Sequence, residues 1–454
     1  MSSSRAVVLG ASMGGLLAAR VLSEFFDTVT VVERDILPAT VAQRRGVPQG
    51  RHVHGLLAAG ALAFEELFPG FLRDLTADGA TVLDKDAQSR ISMSFAGHKL
   101  GLGEQPAKPM VTYLCTRPFL EAHVRDRVRE LDNVEILDGH DAVEMLLTKD
   151  RVSGVRIADH HSGDERSLDA DLVVDATGRS CRTGAFLERH GYPRPTEDRI
   201  DIQVAYASQL LQLPADAFPE RLVFAGLTPE RPYGGSVFVC ENNSCMVTVG
   251  GMAGFEPPTD HDGMLDFAAD TLPARIMTAL LAAEPLGPVA TYRYPASIRR
   301  HYERVPRFPS GLLVFGDAIC SFNPIYGQGM SVAALEAIAL RKCLVAGRKD
   351  LGVRFLRAAA KVIDPAWQLA SGADLAMPQV NADRPVSVRI ANWYTEHLLT
   401  AAETDPVVAE AFLRVTNLVD PLSRFLHPSI VTRVAMAGRR RVARVTPARA
   451  TAHT

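Results

Sequence analysis

Residues 311–345 read GLLVFGDAICSFNPIYGQGMSVAALEAIALRKCLV, and this stretch decides the fold. A short apolar strand, Leu312 to Phe315, passes through Gly316-Asp317, crosses a loop holding Pro324 and enters a helix at Gly327-Gln328-Gly329-Met330. A strand end, an acid and a helix N-terminus therefore meet at one place. Glycine at 327 and 329 removes Cβ atoms where the helix begins, so a ligand can lie directly against backbone N–H groups that lack intrahelical partners. The positive end of the helix dipole favours negative charge on such a ligand. An ordinary strand-loop-helix needs neither the Gly-Asp pair nor the Pro-x-x-Gly-x-Gly spacing.

A second glycine-rich turn lies near the N-terminus. Ala6 to Leu9 reads as a strand, Gly10-Ala11-Ser12-Met13-Gly14-Gly15 as a turn, Leu16 to Phe25 as a helix, and Thr28 to Val32 as the next strand, ending on Glu33-Arg34. Glu33 stands about 20 positions beyond Gly10, the spacing of a ribose contact in a dinucleotide fold. Both FAD and NAD fit that spacing, and a solvated strand-end acid is the competing reading of Glu33. Ser12 replaces the middle glycine of the G-x-G-x-x-G pattern and adds a small side chain near the pyrophosphate position.

Gly316-Asp317-Ala318, Pro324, Gly327-Gln328-Gly329-Met330 and Ala333-Ala334-Leu335-Glu336-Ala337 together resemble the second FAD signature of p-hydroxybenzoate-hydroxylase-like flavoprotein monooxygenases. The resemblance implies that Asp317 binds the flavin ribitol and that Gly316, Pro324, Gly327, Gly329 and Met330 lie against the isoalloxazine ring. Gly10, Ser12, Met13, Gly15, Glu33 and Arg34 are then expected at the adenosine half of the same FAD, and Arg45 at the cofactor from the Arg44 to Leu57 loop, which is expected to cover the flavin ring. Arg117, ahead of Pro118, reaches toward the cofactor in such proteins; a solvated helix-face arginine is the competing reading. Asp175-Ala176-Thr177-Gly178-Arg179-Ser180-Cys181-Arg182 resembles the family's third signature, with Thr177 in place of an Asp and Cys181 in place of a common Ser. Thr177 and Gly178 keep a backbone role toward FAD, whereas the nicotinamide-handling role of that Asp does not carry over. Arg44 to Leu57, RRGVPQGRHVHGLL, is similar to a stretch of bacterial FAD epoxidases of polyketide and natural-product biosynthesis. His52 and His54 on one strand face could offer imidazoles to a metal, but no carboxylate or cysteine is spaced to complete a site, so no metal is expected.

The rest of the chain reads as layers around these motifs. Gly55 to Leu67 and Tyr113 to Arg129 have helical periodicity; Arg90 to Phe95 and His98 to Leu102 read as short strands; Ala142 to Thr148 and Val152 to Ala158 suggest a hairpin. Alternating runs between Arg199 and Tyr294 predict a largely antiparallel sheet, with Tyr206, Phe238 and Tyr294 as candidate substrate-lining aromatics that could equally be core. Beyond Val345 the pattern is helical, the basic run Arg439 to Arg444 reads as solvated charge rather than a membrane contact, and residues 446–454 are expected to fray.

A formal net charge of −3 gives no ground for a nucleic-acid partner, and six scattered cysteines without a Cys-x-x-Cys pair read as free thiols. With neither a signal pattern nor a membrane-length apolar run, the expected location is cytoplasmic. The expected fold is α/β: a Rossmann-like FAD-binding domain (1–87, 111–198, 295–345), an inserted antiparallel β substrate domain (88–110, 199–294) and a C-terminal helical region (346–454). The implied activity is transfer of one oxygen atom from a flavin C4a-hydroperoxide to an apolar small molecule, preferably alkene epoxidation, with NADH or NADPH as electron donor, directly or through a flavin reductase. No catalytic acid or base is nominated, because the cofactor carries the chemistry. Aromatic hydroxylation and redox-neutral cyclisation over FAD are the nearest other activities, and a dinucleotide-binding regulator is the non-enzyme reading. A flavin halogenase would carry Trp-x-Trp-x-Ile-Pro, but the two tryptophans are Trp367 and Trp393.

Overall fold

The structure is a computed structural model that describes residues 3–103, 110–214 and 217–445. Part of the 88–110 strand segment, and the 446–454 tail expected to fray, lie outside the described residues.

The chain begins with strand β1 (Arg5–Leu9), helix α1 (Met13–Leu22) and strand β2 (Thr28–Val32). Helix α2 (Arg117–Arg129), strand β3 (Val134–Leu137), strand β4 (Leu172–Asp175) and strand β5 (Leu312–Val314) return to the same layer. The five strands form one parallel sheet in the order β5-β4-β1-β2-β3. Both faces are covered, so β1 and β4 are continuous apolar runs rather than alternating ones. Each fully buried Val or Leu there contributes about 1.5–3 kcal/mol. This sheet carries all three glycine-rich motifs at the C-terminal ends of β1, β4 and β5, where open α/β sheets bind ligands.

A second, larger sheet forms the substrate layer. Its long strands Glu197–Gln212 and Ala290–Arg300 pair antiparallel, and Ser244–Gly251 and Tyr233–Val239 continue it. One pairing is parallel, Leu222–Ala225 with Ile91–Phe95, because the latter strand arrives from a distant segment rather than from a hairpin. Ala290–Arg300 runs unbroken through residues 294 and 295 as part of this sheet, and the chain returns to the parallel sheet only at Leu312.

The remaining helices close the molecule: α3 (Gly329–Val345), α4 (Leu351–Ala376) and α5 (Val386–Ala402), followed by helices Pro406–Thr416 and Pro428–Val445. Two expected helices are shorter than their periodicity. Gly55–Leu56 and Thr112–Leu114 pair as strands, so helix begins at Ala58 in one and at Arg117 in the other. Thr116 sets the second boundary, its side chain accepting from the Phe119 N–H as an N-cap. The cysteines are free, and among the described residues no helix is long and apolar enough to cross a membrane.

Candidate flavin and substrate site

The N-terminal turn is built on two glycines that no other residue can replace. Gly10 has φ +98°, and a Cβ there would lie 2.8 Å from the Ala176 carbonyl oxygen. A Cβ on Gly15 would lie 1.8 Å from the Gly10 carbonyl, so α1 starts directly against the turn. Ser12, the departure from the glycine pattern, has a local use: its hydroxyl accepts a hydrogen bond from Arg117 at 3.1 Å.

Glu33 is 5% exposed and accepts from the backbone N–H of Ala11 at 2.7 Å and of Asp35 at 3.0 Å. It belongs to a buried charge network. Arg44 lies 3.3 Å from Glu33, and donates to Glu121 at 2.7 Å, Asp35 at 3.2 Å and the Ala11 carbonyl at 3.1 Å. Glu121 also holds Arg117 at 3.0 Å. Burial pulls the Arg44 pKa down, but Glu121, Glu33 and Asp35 outweigh it and leave it above the ordinary arginine value. Likewise burial pushes Glu121 up, while Arg117 and Arg44 pull its carboxyl below the ordinary range. Arg117 is thus fixed by Ser12 and Glu121 rather than solvated.

The three motifs converge on Asp317. Ideal Cβ positions show how near they are: one on Gly329 would lie 3.9 Å from the Asp317 carboxylate, one on Gly178 3.9 Å from the Asp317 Cβ, and one on Gly14 3.4 Å from the Phe315 ring. Asp317 opens into a cavity enclosed by protein, which pushes its pKa up, while Arg117, Arg179 and Arg300 pull it down. Behind it, Glu336 of α3 accepts the Gly316 N–H at 2.9 Å. Asp175 orders the Thr177-Gly178 loop, accepting from the Thr177 N–H at 3.1 Å and hydroxyl at 2.5 Å and from Cys181 Sγ at 3.0 Å. Cys181 therefore serves as a donor to Asp175, as a serine hydroxyl would.

One cavity of about 2000 Å³ runs from Gly10 and Glu33, past Asp317 and Gly327, to the substrate sheet. Pockets for a single ligand span about 300–1,000 Å³, so this one has room for a long cofactor and a second molecule. Of the residues expected at the cofactor, all line it except Gly15, which packs beneath the turn, and Arg45. Arg45 is exposed and the adjacent Arg44 points inward in its place. Arg34 sits at the rim, 3.8 Å from Asp141. A Cβ at Gly327 would meet nothing within 4 Å, so the chain before α3 is open to the cavity. The residues present fit FAD: an adenosine end with a helix N-terminus and a buried acid, and a flavin end with an acid and uncovered backbone.

Tyr206, Phe238 and Tyr294 all lie on the cavity wall. Substrate-sheet strands contribute only uncharged side chains to it, Met93, Val204, Phe224 and Tyr292 among them. Arg179 stacks over the Tyr294 ring at 3.9 Å. His52 packs edge-on against Tyr206 and is hydrogen-bonded through Nδ1 to Ser208 at 2.8 Å. Burial pushes the His52 pKa down to about 3, with His54 and Arg51 adding to the shift. His54 is pushed down to about 4, by burial first and then by Arg117. Both imidazoles are neutral at physiological pH. Among the described residues no group of three or more His, Cys, Asp or Glu is placed to hold a metal.

Sequence reasoning did not single out Arg44, Glu121, Asp175 or the α4 and α5 residues that wall the cavity, such as Leu375 and Tyr394. The i,i+4 ion-pair spacing of Arg117 and Glu121 on α2 was the available signal for one of them.

No protein-family model matches the chain. Protein Rv3254 of Mycobacterium tuberculosis is 41% identical over 441 residues, covering 94% of this chain and 91% of that protein. Kynurenine 3-monooxygenase of Salinispora tropica is 25% identical over 364 residues, covering 75% and 73%. Among solved structures, a flavoprotein/dehydrogenase from Cytophaga hutchinsonii superposes with TM-score 0.67 at 16% identity, covering 97% of this chain and 99% of that one. The flavin-dependent brominase Bmp2 gives 0.66 at 16%, covering 97% and 100%. The Diels-Alderase PyrE3 gives 0.60 at 18%, covering 92% and 81%. At these identities the structural likenesses speak for the fold.

Proposed function

The chain belongs to one family with Protein Rv3254 of Mycobacterium tuberculosis, and we propose that it is a p-hydroxybenzoate-hydroxylase-like FAD-dependent monooxygenase that transfers one oxygen atom of O2 to an apolar natural-product substrate, preferably across an alkene to give an epoxide. The observation that carries this reading is the continuous cavity, which joins a dinucleotide site to a wall of uncharged strand side chains. A carboxylated substrate such as an amino acid would find no cation on those strands. Near α5, Arg384 donates to the carbonyls of Leu375, Met377 and Val380 and Glu396 pairs with His98 at 2.9 Å, which leaves Arg389 as the α5 cation facing the cavity.

Reduced FAD, when bound, supplies the electrons that activate O2. The protein supports that chemistry by position and dielectric. Glu33 and the start of α1 hold the adenosine end; Asp317 holds the ribitol; the N-terminus of α3 favours negative charge beside Gly327 and Gly329. The neutral His52, Tyr206 and Phe238 orient the substrate and exclude water. One atom of O2 enters the product and the other leaves as water, with electrons drawn from NADH or NADPH directly or through a flavin reductase. The expected location is the cytoplasm.

A redox-neutral cyclase is the second reading, favoured by the shared fold of a Diels-Alderase. The two separate in one experiment. FAD-reconstituted protein is given apolar polyenes, NADH or NADPH with a flavin reductase, and isotopically labelled O2. The expected product carries one labelled oxygen, and no turnover occurs without O2. Full turnover with oxidised FAD under nitrogen would overturn the monooxygenase and leave the cyclase; label on an aromatic carbon would replace the epoxidase by a hydroxylase.

A further inference from the structure

Asp374 lies near the end of α4, in the C-terminal helical region, and is fully buried. Its Oδ1 accepts from Asn323 Nδ2 at 2.7 Å and from the Tyr326 hydroxyl at 2.8 Å, and its Oδ2 lies 3.5 Å from the Ser297 hydroxyl. Asn323 in turn accepts the Ile325 N–H through its own Oδ1 at 3.1 Å. One carboxylate therefore ties both ends of the turn Asn323-Pro324-Ile325-Tyr326. All four turn residues line the cavity, and the chain passes from them through Gly327, at φ +66°, into the start of α3. Burying a carboxylate is costly, and this one is raised to about 6, by burial first and then offset by Asn323, Tyr326 and Ser297. Hydrogen bonds to an ionised acceptor are roughly twice as strong as neutral ones, so the turn gains stiffness where the helix-end amides must be held in place.

We propose that Asp374 is the positioning residue of the flavin-facing turn: it locks Asn323 and Tyr326, and through them the direction in which the N-terminus of α3 meets the isoalloxazine ring. This rests on the placement of the flavin beside Gly327 and Gly329 argued above.

The test is FAD titration of the apo-protein, followed by the visible flavin band and by thermal unfolding. Asp374→Ala leaves the Asn323 amide and the Tyr326 hydroxyl without an acceptor. FAD should bind at least about tenfold more weakly, with a band shape moved toward that of free FAD. Asp374→Asn keeps an oxygen where Oδ1 stands and turns the new N–H2 toward Ser297, so affinity and band shape should recover well above the alanine variant and fall short of wild type by the lost charge assistance. Tyr326→Phe removes one hydroxyl and keeps the ring; it should give an intermediate loss and serves if the alanine variant does not fold. Wild-type affinity and band shape in both Asp374→Ala and Tyr326→Phe would overturn the proposal, as would an asparagine variant as impaired as alanine. Asp317→Ala separates the two readings. If it still binds FAD, the flavin placement has failed; if it empties the site while Asp374→Ala changes nothing, only the positioning role has.

Discussion

Glu336 is a carboxyl group that the fold keeps protonated. It is 1% exposed beneath Gly316, and burial, with Asp317 adding to it, pushes its pKa up to about 8 from an ordinary 4.5. The native state therefore holds a proton that the unfolded chain releases, so the stability it brings is full below about pH 4.5 and is lost as pH rises through about 8. At about 1.4 kcal/mol per pKa unit the effect reaches a few kcal/mol. Glu336→Gln keeps an acceptor for the Gly316 N–H without the ionisable proton, and should flatten the decline in melting temperature between about pH 5 and 8 measured on the apo-protein. A decline as steep as that of wild type would remove Glu336 as its source. Asp317, one residue beyond Gly316, plays a different part, because its carboxylate faces the cavity instead of the backbone. Asp317→Ala should fold and melt like wild type but purify colourless, and yellow protein with wild-type FAD content would sink its ribitol role.

Elements show what was legible in the sequence and what was not. The strand-turn-helix around Gly10 and the Gly-Asp stretch around Asp317 could be read because glycine is demanded by local backbone geometry, which leaves a mark at fixed spacing. Arg44 and Arg45 could not be told apart, since the choice depends on Glu121, far along the chain on α2, and on Asp35. Asp374 was invisible for the same reason: its partners sit on a loop about fifty residues earlier, and an acid on an amphipathic helix looks solvated until the fold buries it. Helix packing was equally hidden. Gly60 reads as an unremarkable glycine in the helix Ala58–Leu67, yet a Cβ there would lie 2.8 Å from the Ser331 Cβ and 2.9 Å from its Cα, so this helix touches α3 backbone to backbone. Gly60→Ala should therefore destabilise despite alanine's better helix propensity, by about 1–3 kcal/mol of overpacking, measured by denaturant unfolding. A stabilised variant would show that the two helices can separate without cost.

At the scale of the whole molecule, the cofactor site is assembled from three segments spread over most of the chain: Gly10 to Glu33, Thr177-Gly178, and Gly316 to Met330. A ligand that touches all three binds only the folded state, and so stabilises it by an amount set by its affinity, about 2.7 kcal/mol at a free concentration one hundred times Kd. In the placement proposed above FAD would span the cavity from Glu33 to Asp317, whereas FMN, which carries only the flavin half, would reach only the later segments. FAD should therefore raise the melting temperature of the apo-protein more than FMN does at equal concentration. The difference has to come from the adenosine end, where Glu33 accepts the Ala11 and Asp35 N–H groups and faces Arg44. Glu33→Ala removes that acid and should shrink the FAD shift toward the FMN shift while leaving the FMN shift unchanged. Glu33→Gln keeps an acceptor for the Ala11 N–H and separates loss of the ribose contact from loosening of the turn. If the alanine variant lowers both shifts equally, Glu33 acts on the fold and not on the nucleotide, and the adenosine end has to be sought elsewhere along the cavity.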